Sequence, residues 1–370
     1  MPGPYAHITI VNELRDSGGL DALFSDTPAA PAALRENFHF CELGSVSPDY
    51  PNLAPATGRA GEWADAMHYQ HTGAMVRRGI ELVKAHRGAG KNKMLAWLLG
   101  YSAHVVADAT IHPIVRCKVG DYFENRKQHR VCEMNQDAYI IRRMGLGEIG
   151  ESGCLNERMK ACGDAANRVM LDRDIADLWS AMLRDVHPEL YAANPPDIHA
   201  WQEGFCVMAA VGHEDGCHLF PLARVIATRN DLSYPAHDGT GRQFIDQLDV
   251  PVGAPQDYDA IFGKAAGHVG EVWGVVARGV LTDDTEYRSL LGDWNLDTGL
   301  DENGRLVYWG QGLRKKQAES YQERELARGN HPAVPEHRLH IHGLGKTEGT
   351  DHVRTGEDEI VHPRRDHQGQ

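Results

Sequence analysis

Between Met94 and Val115 the chain reads M-L-A-W-L-L-G-Y-S-A-H-V-V-A-D-A-T-I-H-P-I-V, an apolar run long and regular enough to be a buried helix. Into it are set His104, Asp108 and His112, each four residues from the next. On a helix these fall at about 0°, 40° and 80°, one narrow face with roughly 6 Å of rise between neighbours. An unpaired buried charge costs several kcal/mol, so an Asp flanked by two His on an apolar helix needs partners. Two arrangements satisfy it. Either His104 and Asp108 hydrogen-bond each other while His112 closes the helix before Pro113, or all three share a divalent metal ion.

The following stretch, Asp121 to Met144, also reads as a helix and carries His129 and Glu133 four apart on one face. Imidazole and carboxylate at that spacing make a two-donor zinc arm, with ligand distances of about 2 Å. Other candidates lie upstream. His7 sits near the start of a helix expected over Tyr5 to Leu14, where it reads as a capping or surface histidine unless other donors join it. Asp49 lies between Pro48 and Pro51 in what reads as a loop after a short helix at Pro31 to Asn37. The prolines fix its direction, and an Asx turn is the plainer role. Glu62 to His86 has the pattern of one amphipathic helix bearing His68 and His71, of which His68 is the favoured ligand.

At 370 residues the chain can bury a large core, and its 42% hydrophobic and 24% charged content fits a globular protein. Residues 311–370 hold ten basic and ten acidic residues, so the whole net charge of −14 belongs to the first 310. That balance argues against nucleic acid or an anionic membrane surface as the main partner. Seven cysteines without a C-x-x-C pair describe neither a disulfide framework nor a thiolate zinc site, and Cys117, Cys132 and Cys206 read as packing residues. The first residues lack the basic and apolar regions of a signal peptide, so a cytoplasmic location is expected. No stretch approaches 18 apolar residues, so no transmembrane segment is expected.

Read in order, G-P-Y-A-H near the start, S-P-D-Y, the His at position 68, H-V-V-A-D-A-T-I-H-P and H-R-V-C-E resemble the zinc-dependent phospholipase C family, which is related to the P1-type nucleases. The likeness covers roughly residues 1–145. It implies an all-α, multi-helix phospholipase C/P1 nuclease-like bundle with long loops, to which the sequence adds a small C-terminal hairpin around Asn303-Gly304. It also implies a cluster of two or three zinc ions. Asp49, His68, His104 and Asp108 would hold one and His112, His129 and Glu133 a second. Asp108 would bridge to a third, held by His7 and the N-terminal amine. Family members usually offer an N-terminal Trp there; in this chain removal of Met1 would present Pro2, which is the expected replacement.

The resulting expectation is a helical domain over 1–310, with a metal-binding half (1–145) and a helical, loop-rich half (146–310), and a charged His-rich tail over 311–370. Its activity would be zinc-dependent hydrolysis of a small phosphodiester or phospholipid by hydroxide generated at the zinc cluster, with Asp49 orienting or deprotonating the water. A P1-type nuclease or other phosphoesterase is the alternative within that class. Two further readings compete. An HD-type phosphohydrolase is suggested by His237-Asp238 and His213-Glu214-Asp215, although 236–241 has loop composition. The other is a non-catalytic helical module with structural metals.

Overall fold

In the computed structural model the described residues are 3–54, 58–151, 153–214 and 218–311. Their main helices, in chain order, are α1 (Pro4–Asp16), α2 (Phe38–Val46), α3 (Gly61–Tyr69), α4 (Thr72–Ala85), α5 (Lys91–Val119), α6 (Arg126–Ile140), α7 (Arg173–Val186), α8 (Ile198–Glu214), α9 (Pro221–Asn230) and α10 (Tyr258–Leu281). A two-stranded antiparallel pair, β1 (Trp294–Asn295) and β2 (Leu300–Asp301), is the only sheet among them. The all-α expectation holds. All described residues lie within one unit, Met1–Glu323, and the 312–370 part of the expected tail lies outside them.

The architecture is organised around α5. Its residues from Met94 to Val115 are all buried, as an apolar surface on every side demands. By length and composition α5 could cross a membrane, contrary to the sequence expectation, but its apolar window is wholly enclosed by the rest of the protein. The covering elements are chiefly α2 and α10. Glycines set how closely α2 approaches: a Cβ on Gly44 would lie 2.1 Å from the Trp97 carbonyl oxygen, and one on Gly100 2.0 Å from that of Cys41. On the opposite side Trp273 of α10 donates its indole N–H to the Leu99 carbonyl at 2.8 Å.

Pro113 lies inside α5 and offers no N–H to the Ala109 carbonyl. Gly299, at φ +66, packs against that carbonyl with no room for a side chain. One residue further on, the Thr110 carbonyl accepts from the Trp309 indole at 2.7 Å. The proline therefore docks the β1–β2 hairpin instead of ending the helix.

Several boundaries differ from the sequence reading. The single helix expected over 62–86 is two, because Gln70 is extended and His71 takes φ 55. His68 closes α3 and is buried, while His71 opens α4 facing out. The stretch around Asp49 is not a loop: α2 runs directly into a 3-10 helix, Ser47–Leu53. The helix expected over Leu155–Asp185 is interrupted by a bridge between Gly163 and Leu171. The tight hairpin turn is closed by Gly299, and Asn303-Gly304 forms the next turn, before Leu306. Of the cysteines read as packing residues, Cys132 is buried, Cys206 half-buried and Cys117 exposed.

Candidate metal centre

Each donor reaches the same region by a local cause. The close α2–α5 crossing brings the Ser45 carbonyl, in the last turn of α2, to His104 Nδ1 at 2.9 Å. His68 Nδ1 donates one turn back to the Ala64 carbonyl at 2.6 Å. His112 Nδ1 donates to the Leu296 carbonyl of the hairpin at 2.6 Å, and His129 Nε2 to the Gly120 carbonyl at 2.8 Å. A carbonyl only accepts, so each of these four rings spends its N–H outward and turns the other nitrogen's lone pair inward. Backbone carbonyls are what orient metal-ligating histidines.

The inward atoms converge. His104 Nε2 and His68 Nε2 stand 3.1 Å apart. His104 Nε2 is 3.3 Å and His68 Nε2 3.6 Å from Asp108 Oδ2, and Asp49 Oδ1 is 3.6 Å from His68 Nε2. Donors about 2.0–2.2 Å from one tetrahedral zinc stand roughly 3.3–3.6 Å from each other. Asp108 Oδ1 faces the other way, 3.2 Å from His7 Nε2 and 3.9 Å from His112 Nε2. His7 stacks on His104 with ring centroids 4.1 Å apart.

Ordinary hydrogen bonding does not account for this set. His7 Nδ1 and Nε2, Asp49 Oδ1, both Asp108 oxygens, His112 Nε2 and His129 Nδ1 are buried without a hydrogen-bond partner. A proton on His104 would serve one contact and leave the others unmet. Orphaned lone pairs facing one another need a cation between them. The protonation states of His7, His68, His112 and Asp108 agree. Burial holds His7 down to about 4 and keeps His68 and His112 below the usual imidazole range. Burial opposes charge on Asp108, but His104 and His112 beside it hold its carboxyl well below the usual carboxylate range. Burial also lowers His104, and the Asp108 carboxylate outweighs it. The residues present fit zinc.

Two triads among the described residues gather their donors within 4.8 Å of one another: Asp49, His68 and His104, and His7, His104 and Asp108. His112, His129 and Glu133 are not so gathered. His129 Nδ1 is 3.9 Å from Glu133 Oε1, while Glu133 Oε2 accepts from Arg130 Nη1 at 2.8 Å. Burial raises Glu133, but neighbouring positive groups, Arg130 among them, bring it down to about 2. Of the expected ligands, Pro2 lies outside the described residues. Of the alternative dyads, His237-Asp238 is on a 3-10 turn with His237 stacked on Tyr139, and the side chains of His213, Glu214 and Asp215 lie outside what the structure describes.

Residues 6–189 match the family described as zinc dependent phospholipase C. Through them the chain belongs to that family. No curated protein and no solved structure matches it. The zinc dependent phospholipase C segment ends before two parts of the site begin: the hairpin, which orients His112 through Leu296, and α9, which walls the cleft above the donors. That cleft, about 240 Å³, has Asp49, His68 and His112 at its floor. Asp297 and Arg130 line its sides, and Leu222, Val225 and Ile226 of α9 form an apolar wall.

The sequence reading missed Asp137. It continues the 129–133 series by one more turn, and its carboxylate accepts from the Ala6 backbone N–H at 2.8 Å and the Tyr234 hydroxyl at 3.2 Å. It thereby caps the start of α1, the helix that presents His7. Burial pushes its carboxyl up to about 8.

Proposed function

We propose that the protein is a zinc-dependent phosphodiester hydrolase resembling phospholipase C. Asp49, His68, His104 and Asp108 hold one ion, His7 shares Asp108, and His112, His129 and Glu133 serve a second. The observation that carries this reading is the convergence of buried, partnerless donor atoms at the floor of an open cleft. Zinc bound there supplies a nucleophilic water near neutral pH and a Lewis acid for phosphate oxygens.

The chain's own groups do the rest. Asp49 belongs both to the donor set and to the cleft lining, so its carboxylate can orient the attacking water and take its proton. Asp108 is sealed beneath, where both oxygens keep the imidazoles in register. Arg130, fixed by Glu133 and by the Tyr122 hydroxyl at 2.9 Å, places a permanent positive charge beside the reacting phosphate. A purely structural metal site would be closed on all sides. Here three donors face a cleft, which favours catalysis. The net charge of −14 disfavours the nuclease alternative.

The test is turnover of bis(p-nitrophenyl) phosphate by protein loaded with zinc. Hydrolysis should vanish with chelator and return with added zinc. A preparation that holds zinc yet leaves every phosphodiester intact would remove the enzyme assignment.

A further inference from the structure

The mouth of the cleft differs in charge from the rest of this acidic chain. Arg126 and Arg229 stand there on two different elements, α6 and α9. Among the described residues neither has a carboxylate within 4.0 Å, whereas Arg130 deeper in the wall is matched by Glu133, and Arg116 is matched to Asp297 at 3.3 Å. Asp65 is the one remaining carboxylate in the lining, and it feels Arg126 without forming an ion pair with it. Counting only uncommitted charges, the mouth carries two cations against one anion.

Arg126 is also placed on aromatic faces. Its guanidinium carbon lies 5.7 Å from the Tyr122 ring centroid and 5.5 Å from that of Phe123, a ring left 63% exposed at the opening. Aromatic faces are the usual seat of an organic cation such as a quaternary ammonium. In this cleft a permanent cation of the protein already occupies them. A cationic substrate group brought to the same rings meets Arg126, while an anionic one meets a guanidinium with no carboxylate paired to it. Arg229 is braced from the other side by donating to the Asn52 carbonyl at 2.9 Å.

We propose that the cleft selects phosphodiesters whose group beyond the scissile phosphate bears a negative charge, received between Arg126 and Arg229, and discriminates against cationic head groups. The proposal rests on the phosphodiesterase reading and deepens it by assigning the substrate class.

The experiment uses the zinc-loaded full chain and three p-nitrophenyl phosphodiesters of similar size, made with choline, ethylene glycol and 3-hydroxypropionate. The expected kcat/KM rises from the cationic to the neutral to the anionic ester, by about tenfold or more between the extremes. Arg126→Gln should compress that ratio to within about threefold, and Arg126→Lys, which keeps the charge, should retain most of it. A flat or reversed series in active wild type, or a series unchanged by Arg126→Gln, overturns the proposal. Should no diester be cleaved, the enzyme reading falls by itself. Calorimetric binding of the monophosphates of the same three alcohols then decides: the same ranking supports charge selection, and a flat or reversed one overturns it.

Discussion

Replacing Asp108 with Asn is expected to strip zinc from the centre and lower phosphodiester hydrolysis by about a thousandfold or more, equivalent to about 4 kcal/mol or more of lost transition-state stabilisation. The reason is that a single carboxylate faces donors on two sides, Oδ2 standing 3.3 Å from His104 and 3.6 Å from His68 and Oδ1 3.2 Å from His7. Asn keeps the shape but turns one oxygen into an N–H donor and removes the charge that zinc requires. Because the shape is kept, the variant should still fold. His104 and His112 hold the Asp108 carboxyl well below its usual range, however, so the charge that Asn removes is stabilising at neutral pH. Without zinc the variant should unfold at a somewhat lower temperature than wild type without zinc. Added zinc should raise the wild-type midpoint far more than the variant's. Metal content per chain, turnover and paired melting curves with and without zinc make the check. A variant that binds zinc with wild-type stoichiometry and turns over normally would show that Asp108 is no bridge.

The helical class and the heart of the centre were legible because both depend on one periodicity. An apolar surface on all sides identifies α5, and a spacing of four puts His104, Asp108 and His112 on one face whatever surrounds the helix. The same arithmetic extended by one turn would have found Asp137. Sequence did not reveal the break between α3 and α4, since a left-handed residue at His71 leaves no mark in an amphipathic pattern. It also hid the helical nature of the Asp49 segment, where prolines suggested a loop but in fact open and shape a 3-10 helix. Least legible were the carbonyls of Ser45, Ala64, Leu296 and Gly120. Backbone groups carry no residue signature, and Leu296 lies 184 positions from the histidine it orients.

Gly100→Ala should be among the most damaging small substitutions outside the ligands. The added methyl would lie 2.0 Å from the Cys41 carbonyl oxygen and 2.9 Å from the Ser45 amide nitrogen, both backbone atoms of a packed helix, so neither can rotate away. The α2 and α5 axes must separate, at a cost of about 3 kcal/mol or more. Gly267→Ala on α10 is the matched control: nothing lies within 4 Å of the place its methyl would take, and removing glycine's backbone entropy should stabilise by about 0.5–1 kcal/mol. The same chemical change thus has opposite signs at the two positions, to be read as shifts of the denaturation midpoint. A second readout links packing to chemistry. Separating α2 from α5 withdraws Ser45 from His104, and loss of such an orienting contact weakens metal binding by about 10–100-fold. Folded Gly100→Ala protein should therefore require more zinc for half-maximal activity, while Gly267→Ala should not. If Gly100→Ala lowered stability but left the zinc requirement unchanged, the helix crossing would be a matter of packing alone and His104 would owe its orientation to something else.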